Sequence, residues 1–145
     1  MTTVRLALRH RDPSGLRGIF PKLIRWRLVT AYPHGGIVAP GGLYHSTLAD
    51  GVHLEDTPAD DGWLLLPTTV DVETARHRIA QRIGRPYDWA SLLAFVLPVS
   101  VRWSRADYCF EFCYYVLTGK TPTSRVTAEQ LLALVAQQLA DQRRE

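Results

Sequence analysis

Tyr32-Pro33-His34-Gly35-Gly36-Ile37-Val38-Ala39-Pro40-Gly41-Gly42-Leu43-Tyr44-His45-Ser46-Thr47-Leu48-Ala49-Asp50-Gly51-Val52-His53-Leu54-Glu55-Asp56 is the stretch on which the fold turns. It divides into strand-length pieces at 34–39, 43–47 and 52–56. Pro40-Gly41-Gly42 breaks the first join, and Asp50-Gly51, a strong hairpin signal, breaks the second. Together the pieces read as a three-stranded antiparallel meander. Upstream, Val4, Leu6 and Leu8 alternate with Arg5 and Arg9, the period-two pattern of a strand that ends before Asp12-Pro13-Ser14-Gly15. Downstream, Trp63 to Leu66 reads as one more apolar strand, closed by Pro67.

The second half is helical by periodicity and caps. Asp71 caps a helix with Val72, Ala75, Ile79 and Ile83 on one face, and Gly84 ends it. Short helices are expected around Lys22 to Arg27 and from Ser91 to Leu97. Ser104, three residues before Asp107, opens a helix running through Cys109, Cys113, Val116 and Leu117 to Gly119. Thr127 with Gln130 makes a cleaner capping box at the head of the last helix, which is expected to fray from about 138 to 145. The expected class is α+β, an antiparallel sheet packed against helices.

At 145 residues the chain is long enough for one domain with its own core, without disulfide or metal staples. With 46% apolar and 21% charged residues its composition is that of a globular protein. The formal charge of +3 comes from scattered arginines, so no nucleic-acid footprint is expected. Met1-Thr2-Thr3-Val4-Arg5 lacks the pattern of a signal peptide, which leaves the expected location cytoplasmic or within a delivered particle. The longest apolar run, residues 92–101, is interrupted by Pro98 and falls short of the about twenty residues that span a bilayer. No transmembrane segment is expected.

Two segments carry chemistry: the histidine that opens the strand at 34 and Asp107-Tyr108-Cys109-Phe110-Glu111. Cys109 in the first turn of its helix meets unpaired N–H groups and the positive end of the dipole, both of which stabilise a thiolate. A free cysteine reads equally as a small core residue. Cys113 is one turn deeper, outside most of that field, and reads as core; a Cys109–Cys113 disulfide would have poor geometry. His34 follows Tyr32-Pro33 and precedes two glycines, which allow close backbone approach beside its ring. His45, on the next strand, falls on the same face and suits the group that fixes a base's tautomer. His53 competes for that role but reads as facing solvent, and His10 and His77 read as surface. No histidine pair has familiar zinc spacing, so neither metal nor cofactor is expected.

These residues resemble a known family. Leu23-Ile24-Arg25-Trp26 and Thr30-Ala31-Tyr32-Pro33-His34 are similar to the lead-in to the histidine of permuted papain-like amidases of the NlpC superfamily. The likeness is to the YiiX-like group, related to the lecithin retinol acyltransferase family. Gly51-Val52, the Gly-x-x-Tyr-Asp of Gly84-Arg85-Pro86-Tyr87-Asp88, and Tyr108-Cys109-Phe110-Glu111 in place of Cys-Ser-Glu continue the likeness, over about residues 4 to 118. The resemblance implies a circularly permuted papain-like fold with Cys109 as nucleophile, His34 as general base and then acid, and His45 as orienting residue. Phe110 departs from the family's small hydroxyl residue, and His45 stands where glutamate is common. By analogy Tyr87 offers its hydroxyl to the oxyanion; the alternative is a tyrosine packed beside the Asp88 turn. Glu111 reads as structural.

The expected activity is thiol hydrolysis of amides through an acyl-enzyme. Peptidoglycan stems or crosslinks are the expected substrate, with phage-tail or injection-device proteins as partners. A lipid thioesterase or acyltransferase, with Trp89 to Val101 lining an acyl groove, is one alternative. A non-catalytic assembly protein, using Trp26, Trp63, Trp89 and Trp103 at interfaces, is the other.

Overall fold

Alternation makes the first strand: Val4, Leu6 and Leu8 are buried on one side of β1 (Thr3–Arg9), while Arg5 on the other is exposed. The computed structural model describes residues 2–10, 32–47, 49–56, 62–88 and 108–145. The meander follows as β2 (His34–Ala39), β3 (Gly42–Thr47) and β4 (Gly51–Glu55), and β5 is Trp63–Asp71. These form a five-stranded antiparallel sheet in the order β4-β3-β2-β1-β5.

Pro67 does not close β5, which runs on to Asp71. Strand β5 is an edge, where a residue lacking an N–H costs no ladder bond on its open side. The neighbouring β1 accommodates it with an irregularity between Thr3 and Arg5. Thr68, the next residue, donates its buried hydroxyl to the Val4 carbonyl at 2.7 Å.

Three helices accompany the sheet among the described residues: α1 (Val72–Ala80), α2 (Cys109–Thr118) and α3 (Ala128–Gln142). Asp71 caps α1 by accepting from the Thr74 amide at 2.9 Å. Ala75 and Ile79 are buried, but Ile83 lies beyond the helix end and is 47% exposed. Thr127 and Gln130 form the full capping box of α3, which is regular through Gln142 where fraying was expected from about 138. The segments 22–27 and 91–97, expected as short helices, lie outside the described residues.

Helix α2 begins later than Ser104 would have it. Tyr108 is the extended N-cap residue (φ −86°, ψ 167°), with no side-chain cap bond, so Cys109 is the first helical residue. The Tyr108 hydroxyl donates to the Val126 carbonyl at 2.6 Å and accepts from the Val126 amide at 2.5 Å. This buried pair of bonds ties the start of α2 to the lead-in of α3.

The sheet has two unlike faces. Leu6, Leu8, Ile37 and Val52 pack with Phe110, Phe112, Cys113 and Val116 of α2 and Leu131 of α3 in the main core. Burying each large side chain there contributes about 1.5–3 kcal/mol. Ala7, Val38 and Leu43 form a smaller cluster on the opposite face, with Trp63 and Leu65. Among the described residues no helix is long and apolar enough to cross a membrane.

Candidate active site

The registers of the meander gather a histidine cluster. His45 of β3 pairs directly with His53 of β4, and Glu55 follows two residues on, on the same face. His34 opens β2, where Ile37 pairs Tyr44, so it lies diagonally across from His45. Its Nε2 is 2.7 Å from His45 Nδ1. Gly36 permits this approach, because a Cβ there would lie 2.7 Å from Leu43 Cδ1 and 3.0 Å from His45 Cβ. Trp63 stands edge-on to the His34 ring at 5.9 Å, with the Arg9 guanidinium over the indole.

On the far side of His45, Nε2 lies 3.2 Å from Glu55 Oε2. That carboxylate favours a proton on Nε2, which makes His45 Nδ1 the acceptor and His34 Nε2 the donor of their shared bond. The remaining nitrogen of His34, Nδ1, then carries a lone pair. Glu55 is the residue that the sequence reading missed, and His53, partly exposed with its side chain at 21%, also stands against His45, ring centroids 4.8 Å apart. The hairpin at Asp50-Gly51 held the signal, since pairing Thr47 with Gly51 sets 45 opposite 53. His10 and His77 are exposed.

Electrostatics keep the pair neutral. Burial lowers the His34 pKa to about 3, with further lowering by positive charge on His45, Arg9 and His53. His45 is lowered as well, chiefly by burial, against the opposing pull of Glu55. In His53 burial is outweighed by hydrogen bonds to the Gly51 carbonyl and Glu55, and its pKa rises. Glu55 is lowered, because its bond from His53 and the charges on both histidines overcome partial burial.

Cys109 lies on the other side of β2. A Cβ at Gly35 would meet the Phe110 ring at 3.2 Å, so Gly35, Ile37 and Ala39 face α2 while His34, Gly36 and Val38 face away. The thiol touches the strand in its plane, accepting the Gly35 amide N–H one peptide from His34. Among the described residues no hydrogen bond joins the His34 ring to the thiol. Burial pushes the Cys109 thiol up to about 12, despite N–H donors from Gly35 and Phe110. Cys113 is a buried free thiol in the core, its pKa raised well above the usual range by burial.

Gly51 positions the segment that carries Tyr87, which lies in the same core as Cys109. Gly51 has φ +65°, and a Cβ would lie 2.1 Å from the Arg85 carbonyl oxygen. Only glycine fits so close a crossing at positive φ. Val52 N–H donates to the Arg85 carbonyl and Gly84 N–H to the Val52 carbonyl, which lays residues 84–87 along β4. Tyr87 is buried, and its phenol is pushed well above its ordinary pKa by burial first and then by the charges of Cys109, Tyr108, Asp88 and Glu111. The structure thus brings His34 and His45 together and sets Tyr87 near Cys109, with β2 between the two pairs. Compared with known proteins, the chain matches no family model, no curated protein and no solved structure.

Proposed function

We propose that the protein is a thiol hydrolase of the circularly permuted papain-like kind, acting on amide bonds. Peptidoglycan stems or crosslinks are its substrate class, and phage-tail or injection-device proteins the partners that deliver it. One juxtaposition carries the reading. A cysteine at the first residue of a helix accepts the amide N–H of Gly35, and the adjacent residue is a histidine whose other flank is already bonded to a second histidine.

In the mechanism, His34 turns about its side chain to present Nδ1 to the thiol. Cys109 Sγ attacks the carbonyl carbon as its proton passes to His34 Nδ1. The oxyanion takes N–H donors at the start of α2 and the Tyr87 hydroxyl, which stays protonated because its pKa is raised. Collapse breaks the C–N bond, and the amine leaves with the proton from His34. Water, deprotonated by the same nitrogen, then hydrolyses the thioester. Before His34 turns, His45 sets its tautomer, with Glu55 behind His45.

A second reading has its own observation. A thiol near 12 and an imidazole near 3, on opposite faces of β2, describe a core cysteine and a half-buried neutral histidine in an assembly protein. Incubation with purified peptidoglycan, with released muropeptides identified by mass spectrometry, separates the two. The hydrolase reading expects turnover by wild type and Cys113→Ala, and none by Cys109→Ala or His34→Ala. No turnover by folded wild type, or turnover that survives Cys109→Ala, sinks it.

A further inference from the structure

We infer that His45, His53 and Glu55 form a binding site for one divalent transition-metal ion of the zinc class. His45 Nε2 lies 3.2 Å from Glu55 Oε2, and His53 Nε2 lies 3.1 Å from Glu55 Oε1. One ligand atom from each of the three residues lies within 4.8 Å of the others. Donors around a four-coordinate zinc, with bonds of roughly 2.0–2.2 Å, stand roughly 3.3–3.5 Å apart. The two histidine–carboxylate spacings are within a few tenths of an ångström of that range, and the third pair of donors lies within 4.8 Å.

The nitrogens are oriented for ligation. His53 Nδ1 donates to the Gly51 carbonyl at 2.8 Å, so in the neutral ring Nε2 is a lone pair aimed at a carboxylate oxygen. Two acceptors face to face need a proton or a metal cation between them. His45 has its Nδ1 engaged by His34 and its Nε2 turned toward the same carboxylate. Metal-bound histidines are held in this way, with the second ring nitrogen bonded to a carbonyl or side chain.

The independent observation is the buried nitrogen. The His45 side chain is only 5% exposed, and its Nε2, shut off from solvent, has the Glu55 carboxylate 3.2 Å away to face. A buried ring N–H or lone pair left unmade costs about 1–3 kcal/mol. Protons on the two rings meet the two carboxylate contacts one at a time, whereas a single metal ion serves all three residues at once. Two imidazoles and one carboxylate suit zinc, cobalt, nickel or copper rather than magnesium or calcium. The Glu55 side chain is 54% exposed, so an ion has a path in and solvent can fill its fourth position.

One consequence rests on the hydrolase reading, although the site itself does not. A metal on His45 Nε2 leaves the ring's proton on Nδ1, which then donates to His34 Nε2. The His34 proton moves to Nδ1, the atom meant to receive the thiol's proton, so the metal-loaded protein is the inactive form.

The test uses untagged protein stripped with chelator and dialysed. Zinc is titrated calorimetrically, and cobalt is followed by the visible absorption of its four-coordinate complex. The expected result is one equivalent bound, with His53→Ala and Glu55→Gln each weakening affinity by at least the ten- to hundredfold that loss of an outer-shell partner costs. Both positions are partly exposed, and circular dichroism checks that the variants fold. No binding by wild type, or binding that both variants leave unchanged, overturns the site. Neither readout involves turnover, so loss of the hydrolase reading leaves this result standing.

Discussion

Alkylation of Cys109 by iodoacetamide is where the described electrostatics bite hardest. Burial moves the thiol from its ordinary 9.0 to about 12, three pH units. Near neutrality the thiolate fraction is therefore about a thousandfold below that of an unperturbed cysteine, since each unit is a factor of ten. Part of this returns, because a more basic thiolate is the better nucleophile. With a Brønsted coefficient of about 0.4–0.5, three units give back roughly twentyfold. The net expectation is a rate about fifty times below that of a free thiol, lower still because Cys109 is only 3% exposed. Cys113→Ala protein isolates the signal, and mass spectrometry of quenched samples from pH 6 to 10 reads it. The logarithm of the rate should climb by one per pH unit across the whole range. A fast reaction with a plateau between pH 6 and 8 would mean a preformed thiolate–imidazolium pair, and would refute the arrangement described.

Acid stability tests His34. Its folded pKa is lowered from 6.5 to about 3, so its contribution is complete above 6.5 and falls by about 1.4 kcal/mol per unit as pH drops toward 3. Between pH 7 and 5 wild type should lose about 2 kcal/mol more than His34→Asn in urea titrations; equal losses would mean that the ring is not buried as the neutral form. Tyr108→Phe strands the buried amide and carbonyl of Val126, and a loss of about 2–4 kcal/mol is expected by urea unfolding, with less than about 0.5 kcal/mol contradicting the bonds. Gly51→Ala combines positive φ with a backbone clash at Arg85, so about 3 kcal/mol is expected, seen as a Tm lowered by roughly 6–12 °C in calorimetry. An unchanged Tm would say that residues 84–87 do not lie against β4.

What the sequence disclosed was local. The meander was legible because Asp50-Gly51 and Pro40-Gly41-Gly42 fix their own turns, and the caps of α1 and α3 because Asp71 and Thr127 bond within three residues. Two boundaries went astray for tertiary reasons. Pro67 reads as a stop only if both sides of the strand are paired, and β5 is an edge. Ser104 reads as a start, yet the first turn of α2 is set by Tyr108, whose hydroxyl is anchored 18 residues away on Val126. The site divides the same way. His34, His45, Tyr87 and Cys109 were legible as residue types, whereas Glu55 and the turn of His53 toward His45 needed the register, which periodicity within one strand does not supply.

Magnitudes then say what a hydrolase would require of this fold. Moving a proton from a thiol near 12 to an imidazole near 3 spans nine units, on the order of 12 kcal/mol. A turnover of about 10 per second corresponds to a total barrier of roughly 16 kcal/mol, which would leave only about 4 for bond making and breaking. Opposite charges brought to about 4 Å recover on the order of 4 kcal/mol at an effective dielectric of 20, so proximity alone does not close the gap. The rest has to come from relieving the burial that is the first cause of both shifts. His34 stands at the first residue of β2, where turning its ring gives up the Trp63 contact and the His45 bond but no backbone pairing. Cys109 already holds the Gly35 and Phe110 donors that a thiolate needs. On the hydrolase reading, the two faces have to be united by side chains at the end of β2, and substrate binding, in replacing the contacts His34 gives up, would have to drive it.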